Sequence, residues 1–334
     1  MKNILFLFLT IALLLLLSKN SLAQETSRVH YITAKEYIKK DSLNLALIEL
    51  DSAIKLSPKF SAPYALKGEI FELRKEDRKA IGQYSLAILY NPNKASIYLK
   101  RAALHYKLKD HRNYLLNDVN EAIRIEPTNS DLFELKAFYY AHTLNPKSLK
   151  RDFKNAILAL NQAIALNPKN GRYYNNRSDY KLKNKQNLSS LIDINKAIEL
   201  DNTKDSYYHQ RAVVRFVMED FRSSLNDISK AIEINKNSII YFQLRGNVYY
   251  NLKRYEQAYQ DYSTCIDLIF KDIIKSKSEI KPNNPLNLKL RQTLLLRGMS
   301  LVHGNKPYDG CDDFNRALQM GESKALNYIN QFCN

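Results

Sequence analysis

The sequence predicts an all-α fold, a right-handed superhelical solenoid of about eight helical hairpins that ends in a capping helix. Two observations predict it. Segments with helical apolar periodicity come in pairs joined by short polar turns, as in residues 239–270. An Ala-Ile pair recurs near the end of each second segment, and the interval is 34 residues between the first two copies and again between the fifth and sixth. One hairpin cannot bury its own apolar faces, so we expect the copies to stack.

Residues 1–23 are expected to form a secretory signal peptide that is cleaved after Ala23. Lys2 supplies a positive start, residues 4–17 are apolar except for Thr10, and small residues precede the cleavage position. The alternative is an uncleaved membrane anchor, although this apolar run of 14 residues is shorter than the roughly 20 that span a bilayer. We therefore expect an exported protein of the periplasm, the cell envelope or the extracellular space.

The same residue types recur at fixed offsets from the start of each hairpin. Repeat two carries Tyr64, Gly68, Phe71, Ala80, Tyr84, Ala87 and Pro92 at offsets 4, 8, 11, 20, 24, 27 and 32. Repeat seven carries Phe242, Gly246, Tyr249, Ala258, Tyr262 and Cys265 at the corresponding positions. A small residue at offset 8 should let the second helix approach closely, with the alanine at offset 20 as its partner. Proline at offset 32 cannot continue a helix.

These positions resemble the tetratricopeptide repeat family, and the resemblance covers essentially everything after residue 23. It implies stacked helical hairpins of 34 residues. The predicted repeats are 27–60, 61–94, 95–128, 130–169, 171–204, 205–238 and 239–270. A basic interruption at 271–290, repeat eight at 291–321 and a capping helix at 322–334 follow. In repeat four the second helix comes late, so residues 143–151 are expected to form an enlarged loop.

An arginine at offset 7 accompanies an aspartate at offset 23, or one residue later in repeat three. Five repeats have both residues and the others lack both, which predicts that the side chains meet, within a repeat or across a junction. The pairs are Arg101 with Asp118, Arg177 with Asp193, Arg211 with Asp227, Arg245 with Asp261, and Arg297 with Asp313. A bidentate structural contact is the favoured interpretation, and a ligand-binding role for the arginines is the alternative.

Two of the three cysteines are candidates for a disulfide. Cys311 and Cys333 lie on either side of the expected turn at Gly321, so both fall near the same end of a helical hairpin. Export would permit the bond; two reduced core thiols are the alternative. Cys265 takes the place of a small packing residue.

No enzyme signature is found in the sequence. The histidines are scattered, and there is no zinc-protease motif, phosphate-binding loop, nucleophile elbow or cysteine cluster. We therefore expect a protein without catalytic residues, cofactor or metal site.

The family resemblance implies that offsets 2, 5, 9, 12 and 13 of each first helix line an inner face. In repeats five to seven the candidate binding residues on this face are Asn175, Asp179, Lys183, His209, Phe216, Gln243, Asn247, Tyr250 and Asn251. Amides and rings suit an extended peptide; an ordinary solvated helix face is the alternative. Family members that clamp a terminal carboxylate use lysine at offset 5 and asparagine at offset 9, a pair that this sequence lacks.

The formal net charge is +17, which favours acidic partners or reflects amino-acid usage alone. No lysine-rich tract or RNA-binding signature is present, which disfavours nucleic acid. Our first hypothesis is a non-catalytic scaffold or adaptor of the cell envelope that binds a peptide or partner protein in its groove. The alternative is binding of an anionic glycan, another polymer or a membrane surface through the basic surface; a third is an accessory subunit of an enzyme.

Overall fold

The computed structural model describes residues 2–110, 112–144, 150–276 and 284–333, and for residues 2–20, 276, 307 and 308 it describes the backbone alone. Within these residues the chain forms seventeen α-helices and no strand. This confirms the predicted all-α helical repeat fold. The chain divides into two compact units, which we call unit 1 (Met1–Leu166) and unit 2 (Asn167–Asn334).

Unit 1 contains eight helices. They are α1 (Lys2–Lys39), α2 (Leu43–Leu56), α3 (Ser61–Leu73), α4 (Asp77–Tyr90), α5 (Ala95–Lys107), α6 (Arg112–Ile125), α7 (Ser130–His142) and α8 (Phe153–Leu166). Each odd-numbered helix packs on the helix that follows it, and α2, α4 and α6 also pack on the first helix of the next hairpin.

Unit 2 contains nine helices. They are α9 (Gly171–Lys183), α10 (Asn187–Leu200), α11 (Asp205–Val217), α12 (Phe221–Ile234), α13 (Ile239–Asn251), α14 (Tyr255–Ser276), α15 (Pro285–His303), α16 (Pro307–Gln319) and α17 (Lys324–Phe332). Hairpin follows hairpin as in unit 1, and α17 packs on α16.

Some boundaries differ from those that the sequence suggested. Helix α1 continues through Ala23. Helix α15 begins at Pro285, before the predicted start of repeat eight at residue 291, because Pro285 suits the first turn of a helix and the Asn284 side chain accepts a hydrogen bond from the Leu286 amide at 2.9 Å. Residues 145–149 of the predicted loop and 277–283 of the basic interruption lie outside the described residues. In the part of the chain described with side chains, no helix is long and apolar enough to cross a membrane.

The offset-8 glycines allow an aromatic ring, and not only the offset-20 alanine, to approach the first helix. A Cβ atom on Gly68 would lie 2.5 Å from the ring of Tyr84, and one on Gly246 would lie 2.6 Å from the ring of Tyr262. Both rings are fully buried. The expectation that alanine at offset 20 is the close partner was therefore incomplete, because the ring at offset 24 occupies the space that a Cβ would need.

The turns inside seven of the eight hairpins share one backbone geometry. In these turns the second residue beyond the first helix has a left-handed φ: Asp41, Lys75, Lys109, Lys185, Glu219, Lys253 and Asn305. At the first lysine, the Lys75 amide donates to the Glu72 carbonyl at 2.9 Å and the next amide, of Glu76, donates to the Phe71 carbonyl at 2.8 Å. This pattern satisfies the free carbonyls at a helix end.

Candidate functional site

Five Arg–Asp pairs stand between paired helices, and the structure places both members of each pair in contact. Each arginine donates from Nε and Nη2 to the two carboxylate oxygens of its aspartate, over 2.6 to 3.0 Å in all five pairs. The aspartates are buried, with 2 to 4% of their surface exposed. The hydrogen bonds that Arg297 donates to Asp313 raise the pKa of Arg297. We conclude that these pairs are structural and hold the two helices of a hairpin together.

Three of these arginines also reach the preceding hairpin. Arg101 Nη1 donates to Ser85 Oγ on α4 at 2.9 Å, and Arg211 Nη1 donates to Asn195 Oδ1 on α10 at 3.0 Å. Arg297 reaches Ser263 Oγ on α14 at 3.4 Å. A polar residue at offset 25 is the sequence signal for this contact, which the sequence analysis missed.

In two hairpins of unit 2, the buried carboxylate binds a second cation from offset 11. Lys181 Nζ lies 2.8 Å from Asp193 Oδ2, and Arg215 Nη1 lies 2.6 Å from Asp227 Oδ2. Lys181 and Arg215 lie on the same helices as the candidate inner-face residues. Because both already form ion pairs with buried aspartates, they are not available to a ligand.

On α9, the structure leaves one candidate binding atom without a partner. Asn175 Nδ2 donates to Asn176 Oδ1 at 3.3 Å, whereas Asn175 Oδ1 is buried and accepts no hydrogen bond. Asn175 is one of the residues that line a cavity of about 630 Å³, together with Arg172, Lys204 and Tyr207 among others. Further along the helix, Lys183 Nζ and Asp179 Oδ2 form an ion pair at 2.6 Å.

On α11, the two candidate residues pack against other rings. The His209 ring lies 4.9 Å from the Tyr241 ring, centroid to centroid. Burial lowers the pKa of His209 from its ordinary value of 6.5 to about 4, and the neighbouring Asp205 opposes this shift. His209 is therefore neutral at pH 7. Phe216 packs edge-on against Phe221 at 5.5 Å and borders a core cluster, so it supports the helix pair α11–α12.

On α13, most of the candidate side chains are used within the fold. Asn247 Oδ1 accepts a hydrogen bond from the Tyr262 hydroxyl at 2.7 Å. Asn251 Nδ2 donates to the Asn247 carbonyl at 2.8 Å. The Tyr250 hydroxyl lies 2.7 Å from His303 Nδ1 on α15. Gln243 is partly exposed on the same helix.

His303 was missed in the sequence analysis. Its ring forms a cluster with Tyr250 and Tyr255, at centroid distances of 5.5 to 5.6 Å, and Phe332 of α17 meets it edge-on at 6.1 Å. The signal was available, because His303 stands at offset 13 of repeat eight, one of the offsets expected to line the inner face. The cluster joins α13, α14, α15 and the capping helix α17.

Cys311 and Cys333 form a disulfide, with the two Cα atoms 5.8 Å apart. It ties α16 to the C-terminal end of α17. Cys265 is a buried free thiol, and burial raises its pKa to about 12. Among the described residues no group of three or more His, Cys, Asp or Glu side chains could hold a metal ion.

Comparison with known proteins identifies the repeat. Residues 240–272 match the family model described as tetratricopeptide repeat. A curated relative, the UDP-N-acetylglucosamine–peptide N-acetylglucosaminyltransferase of Giardia intestinalis, is 26% identical over 137 residues, which are 38% of this chain and 9% of that protein. The chain thus spans less than a tenth of the length of that relative.

Two solved structures resemble this chain to different degrees. The Cut9–Hcn1 hetero-tetramer of the APC/C is 13% identical, with a TM-score of 0.55 over 86% of this chain and 52% of that chain. PilW, a type IV pilus biogenesis factor, is 16% identical, with a TM-score of 0.46 over 63% of this chain and 93% of that chain. The family model confirms the tetratricopeptide resemblance over residues 240–272, and the likeness to the Cut9–Hcn1 structure supports the helical repeat fold. This fold is typical of non-catalytic scaffolds that bind other proteins.

Proposed function

We propose that this tetratricopeptide repeat protein is a non-catalytic adaptor that binds an extended segment of a partner protein against α9, α11 and α13 of unit 2. The observation that carries the proposal is the unpaired Asn175 Oδ1 beside a cavity of about 630 Å³. A buried amide oxygen without a donor costs roughly 1–3 kcal/mol. A backbone N–H of a bound peptide is the kind of donor that would satisfy it.

The electrostatics of this face favour recognition by hydrogen bonds and rings. His209 is neutral at pH 7 because its pKa is lowered to about 4. Asp179 and Lys183 neutralise each other. The partner segment would therefore be held by its backbone and by apolar or aromatic side chains, and its binding should resist salt.

The predicted signal peptide suggests where in the cell the protein would meet its partner. If residues 1–23 direct export, the partner is met in the periplasm, the cell envelope or outside the cell. Comparing the N-terminal residue of the purified, exported protein with Gln24 tests that part alone.

The binding proposal is tested with short peptides selected from a random library against the full chain. Asn175→Ala and Gln243→Ala should each weaken the best peptide at least tenfold. Gln260→Ala, which removes an exposed amide of the same size from the second helix α14, is the matched control and should leave the affinity unchanged. Equal losses in Gln243→Ala and Gln260→Ala, or loss of binding in moderate salt, would contradict the proposal.

A further inference from the structure

Two helices of unit 2 are longer than their counterparts in the other hairpins. The second helices α2, α4, α6, α8, α10 and α12 each have 14 residues, whereas α14 has 22. The first helices α3, α5, α7, α9, α11 and α13 each have 13 residues, whereas α15 has 19. The added length is residues 269–276 at the end of α14 and 285–290 at the start of α15. We call these two segments together the helical extension.

The helical extension has an apolar core of its own. Ile269 and Ile273 of α14 and Leu290 of α15 are buried in one cluster, and Leu286 packs against it. The two segments therefore continue the helix pair α14–α15 beyond the length that the repeat requires.

Other apolar side chains of the helical extension are exposed to solvent. Ile274 is 76% exposed, the largest value for a large apolar side chain in the part of the chain that the structure describes. Phe270 is 43% exposed and Leu288 of α15 is 40% exposed. Residues four apart in a helix lie on the same face, so Phe270 and Ile274 form a short apolar stripe. Exposed apolar groups of this kind mark interaction sites.

A lysine directly follows each of these apolar residues. Lys271, Lys275 and Lys289 come after Phe270, Ile274 and Leu288, and all three are exposed; Asp272 is the one acidic residue of the two segments. The stem of a lysine can lie along apolar surface while its amine reaches a more polar layer. Apolar side chains with lysines beside them are typical of helices that lie in the interface of a bilayer.

We propose that the helical extension binds the surface of a bilayer that contains anionic lipids, with Phe270 and Ile274 among the acyl chains and Lys271 and Lys275 at the lipid phosphates. A second copy of the chain suits this surface less well, because the lysines of the two copies would repel each other. A protein partner must supply a pocket for each apolar anchor, whereas a bilayer accepts exposed apolar side chains without one. The peptide face on α9, α11 and α13 is not involved, so this proposal is independent of the adaptor function.

A single introduced tryptophan tests the contact, because the chain contains no tryptophan of its own. Ile274→Trp is compared with Ile192→Trp on α10. Ile192 is the matched control because it is 69% exposed and lies four residues after the exposed Leu188, but the next residues are Ser189 and Asp193 and not lysines. Fluorescence of the full chain is recorded with vesicles of phosphatidylcholine, either pure or with about a quarter phosphatidylglycerol. A local reporter is needed because the apolar residues 4–17 can themselves hold the chain on a bilayer.

The lysines are tested in the Ile274→Trp background. Lys271→Gln with Lys275→Gln is compared with Lys236→Gln and Lys253→Gln, which remove the same charge from two exposed turn positions of unit 2. All the substituted side chains are exposed, so every variant should melt at the temperature of the parent.

The emission of Ile274→Trp should shift to shorter wavelength with the anionic vesicles, and that of Ile192→Trp should not. Loss of Lys271 and Lys275 should raise the lipid concentration at half-maximal shift roughly tenfold, since lysines close to an anionic surface add to its attraction. The control pair should raise it by much less. No shift of Ile274→Trp, an equal shift with pure phosphatidylcholine, or equal effects of the two lysine pairs would overturn the proposal. A shift that grows with protein concentration in the absence of lipid would overturn it in favour of a second copy. A shift with poly(glutamate) but not with vesicles would overturn it in favour of an acidic protein.

Discussion

Arg245 donates hydrogen bonds from Nε and Nη2 to both carboxylate oxygens of Asp261, at 2.8 and 2.7 Å. Asp261 is 4% exposed. These bonds raise the pKa of Arg245, and its guanidinium also stacks 5.5 Å from the ring centroid of Phe242. The pair therefore combines charge, hydrogen bonding and ring packing at a single helix contact.

Arg245→Ala should lower the free energy of unfolding by about 3–5 kcal/mol, because it leaves a buried carboxylate unpaired. Urea unfolding followed by circular dichroism measures the loss. Replacing both partners by apolar residues, with Arg245→Met and Asp261→Leu, should recover most of it. Arg124→Ala, which breaks an exposed pair with Glu121, is the control and should leave unfolding unchanged. A small change in the free energy of unfolding of Arg245→Ala would mean that the pair contributes little to stability.

Gly246→Ala should destabilise the protein by about 1–3 kcal/mol, because the new Cβ would lie 2.6 Å from the fully buried ring of Tyr262. Gly82→Ala is the matched control inside α4. Apart from the adjoining backbone of α4 and the two neighbouring residues, nothing lies within 4 Å of a Cβ at Gly82, and replacing a helical glycine by alanine there should stabilise by about 0.5–1 kcal/mol. Melting temperatures should thus move in opposite directions. A stabilising Gly246→Ala would show that the hairpin tolerates a wider gap.

His209 should make stability depend on pH. Its folded pKa of about 4 lies below its ordinary value of 6.5, so between these values the unfolded chain binds a proton that the folded protein does not. The contribution of neutral His209 is therefore present above pH 6.5 and is lost as the pH falls toward 4, by roughly 3 kcal/mol at most. The free energy of unfolding of His209→Gln, measured at pH 7 and pH 4.5, should lack this loss. Replacement of the exposed His142 in His142→Gln is the control and should retain it. An equal dependence of the unfolding free energy on pH in His209→Gln and the parent would contradict the prediction.

Reduction of the Cys311–Cys333 disulfide should lower the free energy of unfolding by about 3 kcal/mol, as expected for a loop with a sequence separation of 22 residues. Hydrogen exchange should then rise first in α17. A variant with serine at both positions should show no response to reductant, whereas Cys265→Ala should respond like the parent.

Cys265 should resist alkylation in the folded protein because burial raises its pKa to about 12. Rapid alkylation of Cys265 would contradict its burial.

The sequence was informative wherever one residue type recurs at a fixed interval. The Arg–Asp pairs could be predicted because joint presence and joint absence in successive copies imply contact. The helical repeat fold followed from the spacing of Ala-Ile pairs and of glycines such as Gly246. The position of Gly246 within its repeat also predicted that the second helix approaches closely at this glycine. The sequence suggested an alanine as its nearest neighbour, whereas the structure places the ring of Tyr262 there.

Contacts that occur only once could not be predicted from the repeat pattern. The hydrogen bond between Tyr250 and His303 joins residues 53 positions apart in the chain. The unpaired oxygen of Asn175 depends on the orientation of a single amide. The early start of α15 at Pro285 depends on a local capping residue that follows the basic interruption. Residues that recur in every repeat indicate the packing that the repeats share. A binding face depends on the residues in which the repeats differ, and the repeat pattern does not predict those contacts.

The bond from Arg101 to Ser85 has a consequence for how the protein unfolds. Arg101 contacts Ser85 on α4 and Asp118 on α6 while it belongs to α5. If α5 unfolds, the preceding hairpin loses a side-chain hydrogen bond as well. Such hydrogen bonds between hairpins strengthen the coupling between neighbouring repeats, and in repeat proteins this coupling determines how many repeats unfold together. We expect hairpins that are joined by such an arginine to unfold together, so that pulling on the chain releases several helices in one step.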